Sequence, residues 1–267
     1  MRIMVLAWRD IWHAEAGGSG RFLHEILRRL ADSGHEITYV TARSPGRPHR
    51  DRVDGIDYLR GGGRLTVYPR GLLALIRHRS RVDVVIDVIN GIPFASPLVR
   101  RRGVLALVHH VHREQWRLIY PDWRGRLGWL IESRLVPVLY QRHPFVTVSS
   151  ATREELHGLG VHGDHVTIVR NAGNCDVPLG QGRRSPTPRL VCLGRLVPHK
   201  QVEHAIQAAA MLQTEFPELT LDVIGEGYSR SDLELRSTEL GITDRVVFHG
   251  WLPQEERDTL LAQAWVL

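Results

Sequence analysis

Arg189-Leu190-Val191-Cys192-Leu193-Gly194-Arg195-Leu196-Val197-Pro198-His199-Lys200 is the stretch on which the reading of the fold turns. The apolar run Leu190–Leu193 predicts a buried strand that stops at Gly194. A short loop with Arg195 follows, and an amphipathic helical pattern starts just past Lys200. Strand, glycine, loop and helix start is the order that leaves backbone N–H groups unpaired and facing outward. Arg195 and Lys200 add two cations there. An anion with several charged oxygens, such as a diphosphate, would find hydrogen bonds and compensating charge together. Lys200 is also the only lysine in a chain with 35 Lys plus Arg. Arginine bias in a GC-rich genome accounts for the scarcity of lysine but not for where the one lysine stands, and chance remains a competing account.

Outward from that stretch, the chain reads as two α/β units. Residues 189–267 hold 7 Lys/Arg against 12 Asp/Glu, whereas residues 1–188 hold 28 against 17. A net +6 chain of 267 residues is therefore split into an acidic and a basic part, which predicts units with different surfaces. The expected boundaries are a first unit 1–172, a Gly/Pro-rich linker 173–188 and a second unit 189–267. The second unit pairs the opening strand and a helix (Val202 to Leu212) with strand 219–224 and Gly225-Glu226-Gly227. A helix through Leu240, strand 246–248, a helix opened by Pro253 and the start of another strand at 264–267 complete it.

The first unit opens with strand 2–8, then Gly17-Gly18-Ser19-Gly20 and a helix carrying Phe22, Leu23, Ile26, Leu27 and Leu30, then strand 37–41. The glycines let backbone approach a ligand at a helix start, although a turn that binds nothing has the same composition. They do not spell a dinucleotide fingerprint, and no acid ends the second strand. A polar loop from Ser44 to Arg52 leads to strand 56–59 and helix 72–76. Strands 82–89 and 104–108 are near-continuous apolar runs of the kind covered on both faces of a parallel sheet. The latter ends at His109-His110-Val111-His112, where open α/β sheets bind ligands. Each histidine could contact a sugar hydroxyl, carry a proton or serve structure alone. Their spacing does not converge on one ion, and no metal site is expected.

Residues 100–142 carry nine arginines with Trp116, Trp123, Trp129 and several leucines. That composition fits an interfacial helix on an anionic membrane, through 113–142, or a core helix with a basic outer face. Strand 145–150 follows, then a helix with Thr152 and Glu155 as a capping box, and strand 166–169 running into Asn171. Two cysteines, Cys175 and Cys192, imply no disulfide framework. No apolar run approaches the roughly 18 residues that span a bilayer. The start is too short and too soon charged for a signal peptide, so a cytoplasmic setting is expected. Zinc-ligand, RNA-binding and helix-turn-helix patterns are missing, and no nucleic-acid partner is expected.

Taken together, the Gly17–Gly20 loop, the strand ending at His109, Thr147-Val148-Ser149-Ser150, Gly194–Lys200, Ile224–Gly227 and Val247–Leu252 resemble the GT-B glycosyltransferases of family 4. Two departures stand out: Val169–Gly173 replaces the family's usual Asn-Gly-Val/Ile, and His199 stands where Glu is common. The resemblance implies two Rossmann-like domains facing across a cleft, and retaining transfer from a nucleotide-diphosphate sugar with no cofactor or metal. It implies donor-phosphate contacts from Gly17, Gly18, Ser19, Arg195 and Lys200, with the base near Gly225, Glu226 and Gly227. His109 would contact the transferred sugar and count with Arg195 and Lys200 as catalytic, while His110 and Asn171 would face sugar or acceptor.

The family's acidic motif of two Glu separated by seven residues lies just beyond a segment like Leu261–Leu267, so the second domain is expected to be incomplete. Ribose anchoring and full activity are then expected to be lacking. The implied partners are the sugar nucleotide and a glycan or lipid-linked acceptor of cell-surface polysaccharide or glycolipid assembly. The expected setting is cytoplasmic, with residues 113–142 as the candidate contact with the inner face of the cell membrane. A non-catalytic GT-B-like scaffold that partners an active enzyme is the alternative from another class, and a nucleotide-sugar 2-epimerase shares the fold.

Overall fold

The computed structural model describes residues 1–13, 15–171 and 183–267, and it divides into the compact units Met1–Ala172 and Gly173–Leu267. Most of the expected linker and Cys175 fall outside the described residues. In the first unit the chain forms β1 (Arg2–Leu6), α1 (Gly18–Asp32), β2 (Glu36–Thr41), β3 (Arg50–Val53), β4 (Ile56–Arg60) and α2 (Val67–His78). It continues through β5 (Val84–Ile89), β6 (Val104–Val108), α3 (Arg113–Ile119), α4 (Trp123–Leu130), α5 (Val136–Tyr140), β7 (Phe145–Thr147), α6 (Ser150–Gly158) and β8 (Val166–Ile168). The sheet order is β3-β4-β2-β1-β5-β6-β7-β8, parallel throughout except for β3.

Burial on both faces explains why the strands read as unbroken apolar runs. Ile3 and Val5 of β1 pack with Leu23 and Leu27 of α1, while Met4 and Leu6 join Leu75 of α2 and Tyr140 of α5 on the opposite face. Asp87 interrupts the β5 run at a fully buried position. Its Oδ1 accepts from Phe94 N–H at 3.1 Å, and its Oδ2 accepts from Ser96 N–H at 3.1 Å, Ser96 O–H at 2.7 Å and the Tyr140 hydroxyl. Burial pushes this carboxyl above its ordinary range, against the pull of those donors.

Several local expectations are corrected. The loop Ser44–Arg52 contains the start of β3, which pairs antiparallel with β4 around Asp54-Gly55, both left-handed at φ 51° and 75°. The Asp-Gly turn signal was present in the sequence. The helix at 72–76 extends over Val67–His78. The Thr152/Glu155 capping box is not formed. Ser149 caps α6 instead, its Oγ accepting from Thr152 N–H at 3.1 Å, and Thr152 turns inward to donate to the His109 carbonyl at 3.1 Å. The strand before it is shorter than expected, ending at Thr147.

The Trp/Arg segment is not one helix. It breaks at Tyr120-Pro121-Asp122, where Asp122 caps α4, and a π-helical turn (Ile131–Leu135) then separates α4 from α5. Gly125, Gly128, Val136 and Tyr140 face inward, whereas Leu118, Trp123, Leu127, Leu130 and Val138 are exposed, Trp123 at 65%. The inner side of the segment joins the core through Val136 and Tyr140.

The second unit contains β9 (Arg189–Leu193), α7 (Val202–Leu212), β10 (Thr220–Ile224), α8 (Arg230–Glu239), β11 (Val246–Gly250) and α9 (Gln254–Gln263). Its parallel sheet is ordered β11-β10-β9, and the expected start of another strand is seen as a parallel bridge from Leu190 to Val266. Leu196, Ile206, Leu221, Val223, Leu233 and Ile242 form its core.

Replacing Asp87 by Ala would strand four buried donors at once. The expected loss is about 3 kcal/mol or more of unfolding free energy, read from the midpoint of urea denaturation.

Candidate functional site

In the first unit β1 lies between β2 and β5, and the chain runs outward from it in both directions. That reversal of strand order opens a crevice at the carboxyl ends of the strands. The β1–α1 connection, residues Asn90 and Gly91, and His109 all leave the sheet at this edge. Gly17 is the N-cap of α1 in extended backbone, with no side-chain cap and no acid in the first turn. The first N–H groups of a 15-residue helix are thereby left for a ligand or solvent, with the positive end of the helix behind them. A side chain built at Gly18 would meet nothing within 4 Å, so the approach to this turn is open.

His109 is 7% exposed. Its ring stands edge-on to Phe22 of α1 at 5.6 Å between centroids, so the expected Gly17–Ser19 turn and His109 do come to the same edge. Among the described residues its Nε2 has no hydrogen-bond partner. Burial first, then the positive fields of Arg9 and His112, pushes its pKa down to about 4. The ring is neutral at pH 7 and keeps one nitrogen to donate or accept. His110 is turned otherwise: its Nε2 is 3.1 Å from Gln115 Oε1, and its ring centroid is 4.0 Å from that of His112. Burial lowers its pKa to about 4 as well. Asn171 is exposed beyond β8, with β7 between that edge strand and β6, and the structure does not bring it to His109.

Two groups at this edge were not foreseen. Asp10, after β1, is 1% exposed; its carboxylate takes Arg60 Nε–H at 2.6 Å, Ser44 O–H at 2.6 Å and Trp12 N–H at 3.1 Å. The sequence showed it only as a charge ending an apolar run. Glu132, one acid among many arginines, is buried and reaches His112 and Trp116.

In the second unit the loops after the three strands are laced together by backbone. Gly194 N–H donates to Ile224 O at 3.0 Å, Leu196 N–H to Glu226 O at 3.0 Å, and Gly225 N–H to Gly250 O at 2.8 Å. A Cβ at Gly225, where φ is +136°, would sit 1.9 Å from Gly194 O, and one at Gly227 would sit 2.1 Å from Leu196 O. The Gly225-Glu226-Gly227 motif is therefore a platform for the Gly194–Leu196 loop, which only glycine permits. The Glu226 carboxylate is turned to Arg230 at 2.5 Å. Lys200 ends a short 3₁₀ turn and is exposed, making no ion pair among the described residues, and Gln201, left-handed at φ 51°, starts α7. A depression of about 430 Å³ borders this loop, with Val197, Pro198, Ser229 and Arg236 in its walls. Behind the loop, buried Asp222 holds His249 Nε2 at 2.6 Å and Arg189 Nε at 3.3 Å across the three strands.

The profile of Glycosyltransferase Family 4 matches residues 16–177, and that of Glycosyl transferases group 1 matches residues 180–267. A GDP-mannose-dependent alpha-(1-6)-phosphatidylinositol monomannoside mannosyltransferase from Mycolicibacterium smegmatis is 36% identical over 259 residues. That alignment takes in 90% of this chain and 65% of that protein. A 2-deoxystreptamine glucosyltransferase from Streptomyces kanamyceticus is 38% identical over 80 residues, 30% of this chain and 21% of that one. The chain thus spans less than two thirds of the length of these relatives. Among solved structures, WaaG, a glycosyltransferase involved in lipopolysaccharide biosynthesis, superposes with a TM-score of 0.71 at 15% identity, covering 99% of this chain and 73% of that one. Anabaena HepE, in complex with UDP and glucose, gives 0.70 at 15%, covering 99% and 72%. The two parallel sheets have the GT-B architecture of these structures, and with more than half of its residues matched by the profile, the chain belongs to glycosyltransferase family 4.

Proposed function

We propose that the protein transfers a hexosyl group, with retention, from a nucleotide-diphosphate sugar to a glycan or lipid-linked acceptor in cell-surface polysaccharide or glycolipid assembly. The observation that carries this reading is the loop Gly194–Lys200, held on a glycine platform with Arg195 and Lys200 on it. In the second unit the diphosphate is assigned to these two cations and the base to the vicinity of Gly225, Glu226 and Gly227. In the first unit the uncapped turn Gly17–Ser19 is assigned to donor phosphate and neutral His109 to the transferred sugar. As the bond from the anomeric carbon to the diphosphate oxygen breaks, charge gathers on the leaving phosphate, and fixed cations aimed at it lower the barrier. The acceptor oxygen bonds to the anomeric carbon from the same face, and its proton passes to the departing phosphate. The curated relatives, one GDP-mannose dependent and one a glucosyltransferase by name, support a sugar nucleotide as donor.

Among the described residues no helix is long and apolar enough to cross a membrane. The exposed Leu118, Trp123, Leu127, Leu130 and Val138, interleaved with Arg113, Arg117, Arg124, Arg126 and Arg134, support peripheral contact with an anionic membrane on its cytoplasmic side. Vesicle flotation tests this: binding is expected with anionic lipid and lost in the double variant Trp123→Ser/Leu130→Ser, and equal binding by the variant would refute it.

Donor binding is tested by thermal shift with UDP- and GDP-sugars. One sugar nucleotide is expected to raise the melting temperature, and Arg195→Ala or Lys200→Ala to weaken its apparent affinity by about tenfold to a hundredfold, the worth of one charged hydrogen bond. An unchanged shift in both variants would sink the assignment.

His109 and His110 bear on stability. Both hold pKa values near 4 when folded and about 6.5 when unfolded, so the unfolded chain takes up more protons between those limits. The stability they contribute is therefore present above pH ~6.5 and lost as the pH falls toward about 4. Melting curves over this range are expected to show a shallower decline in His109→Gln than in the parent.

A further inference from the structure

The buried carboxylate of Glu132 has no part in the contacts assigned above. It lies 3% exposed in the π-helical turn Ile131–Leu135, where Glu132 and Ser133 face inward while Leu130, Arg134 and Leu135 face out. A π turn widens one turn of helix by a residue and so re-aims side chains, and such turns recur at functional sites. Both Glu132 oxygens are 3.2 Å from His112 N, Oε1 is 2.9 Å from His112 Nδ1, and Oε2 accepts Trp116 Nε1–H at 2.6 Å. The Trp116 ring is wedged in place. A Cβ would come within 2.5 Å of it at Gly91, which follows β5, and within 2.4 Å at Gly128 in α4.

One carboxylate thus joins the loop after β6, the first turns of α3 and the π turn. On the other side of the same loop, Thr152 Oγ1 holds the carbonyl of His109. His109 to His112 is a span of four residues pinned at both ends, and within it the rings of His110 and His112 meet at 4.0 Å between centroids, tilted by 44°. A buried carboxylate costs desolvation that an apolar side chain of similar size would not, so packing alone does not account for an acid here.

We propose that Glu132 is a positioning residue for His109: by holding the N–H and the imidazole of His112 it sets the backbone of residues 109–112 and hence the direction of the His109 ring. This role rests on His109 as the contact of the transferred sugar, and it extends that reading to a group that touches neither donor nor acceptor.

The test uses the whole chain with Glu132→Gln, Glu132→Asp and Trp116→Phe. Histidine-ring NMR, sugar-nucleotide thermal shift and transfer rate are read side by side. In Glu132→Gln the ring signals of His109 and His112 are expected to move and broaden together. The thermal shift produced through Arg195 and Lys200 is expected to be kept. The transfer rate constant should fall by about tenfold to a hundredfold with donor KM within about twofold, the size of effect a misplaced group produces. Glu132→Asp should recover part of the rate.

A His109 signal that stays put while that of His112 moves overturns the proposal, as does a rate within about twofold of the parent. Should Glu132→Gln fail to fold, Trp116→Phe, which removes one donor to the carboxylate, carries the same criterion. If the parent itself binds no sugar nucleotide, the proposed function falls, and the coupled or independent movement of the two histidine signals still decides the role of Glu132.

Discussion

Parallel pairing of β1 with both β2 and β5 is the constraint on which the first unit depends. Parallel neighbours cannot be joined by a tight turn, so each strand must be followed by a crossover, and every strand-to-helix connection emerges at one edge. The register of β1, with Met4 opposite both Thr38 and Val85, brings the exits of β1 and β5 level there. With β1 and β5 at the reversal of strand order, the Gly17 turn, Gly91 and His109 share that edge because of the pairing, whatever the sequence distance between them.

The same edge explains where the buried charges lie. Diverging strands and turns there leave backbone N–H groups without ladder partners, and short acidic side chains satisfy several at once. Asp10 takes an amide, a hydroxyl and the Arg60 guanidinium; Asp87 takes two amides and two hydroxyls; Glu132 takes an amide, an indole and an imidazole. Each carboxylate ties connections that hydrophobic packing alone would leave free to shift. The cost of burying an acid is offset only because nearly every oxygen has a partner. The buried His109 ring is then held between Phe22 and a backbone fixed by Thr152 rather than on a loose loop.

In the second unit backbone does the work that carboxylates do in the first. Gly225 and Gly227 admit carbonyls of the Gly194–Leu196 loop at distances no side chain would allow, and three strand ends are sewn together by main-chain hydrogen bonds. A loop fixed in that way carries Arg195 and Lys200 on a defined backbone. Asp222, with His249 and Arg189, fastens the sheet underneath.

Much of this was legible in the sequence. Apolar runs marked most parallel strands, and His109, Gly194 and Gly225 mark the ends of β6, β9 and β10, because burial on both faces favours such composition. The strand–glycine–loop–helix order marked the Arg195/Lys200 loop, and close approach of backbone accounts for the glycines of the neighbouring Gly225-Glu226-Gly227 platform. Several local features were misread: the hairpin at β3, the cap of α6 and the break-up of residues 113–142. In these, turn geometry and tertiary partners overrode the local pattern, as when Thr152 left its capping role to bind the His109 carbonyl. The roles of Asp10, Glu132 and Trp116 were not legible at all. A charge in a sequence carries no mark of the donors it will meet, and Glu132 meets His112 from twenty residues away across a π turn. Sequence alone determined which parallel strands exist and which loops bear glycine and charge, since these follow from local composition. Only the tertiary structure decided which side chains are buried together at the strand ends, since that depends on sheet order and on contacts between residues far apart in the chain.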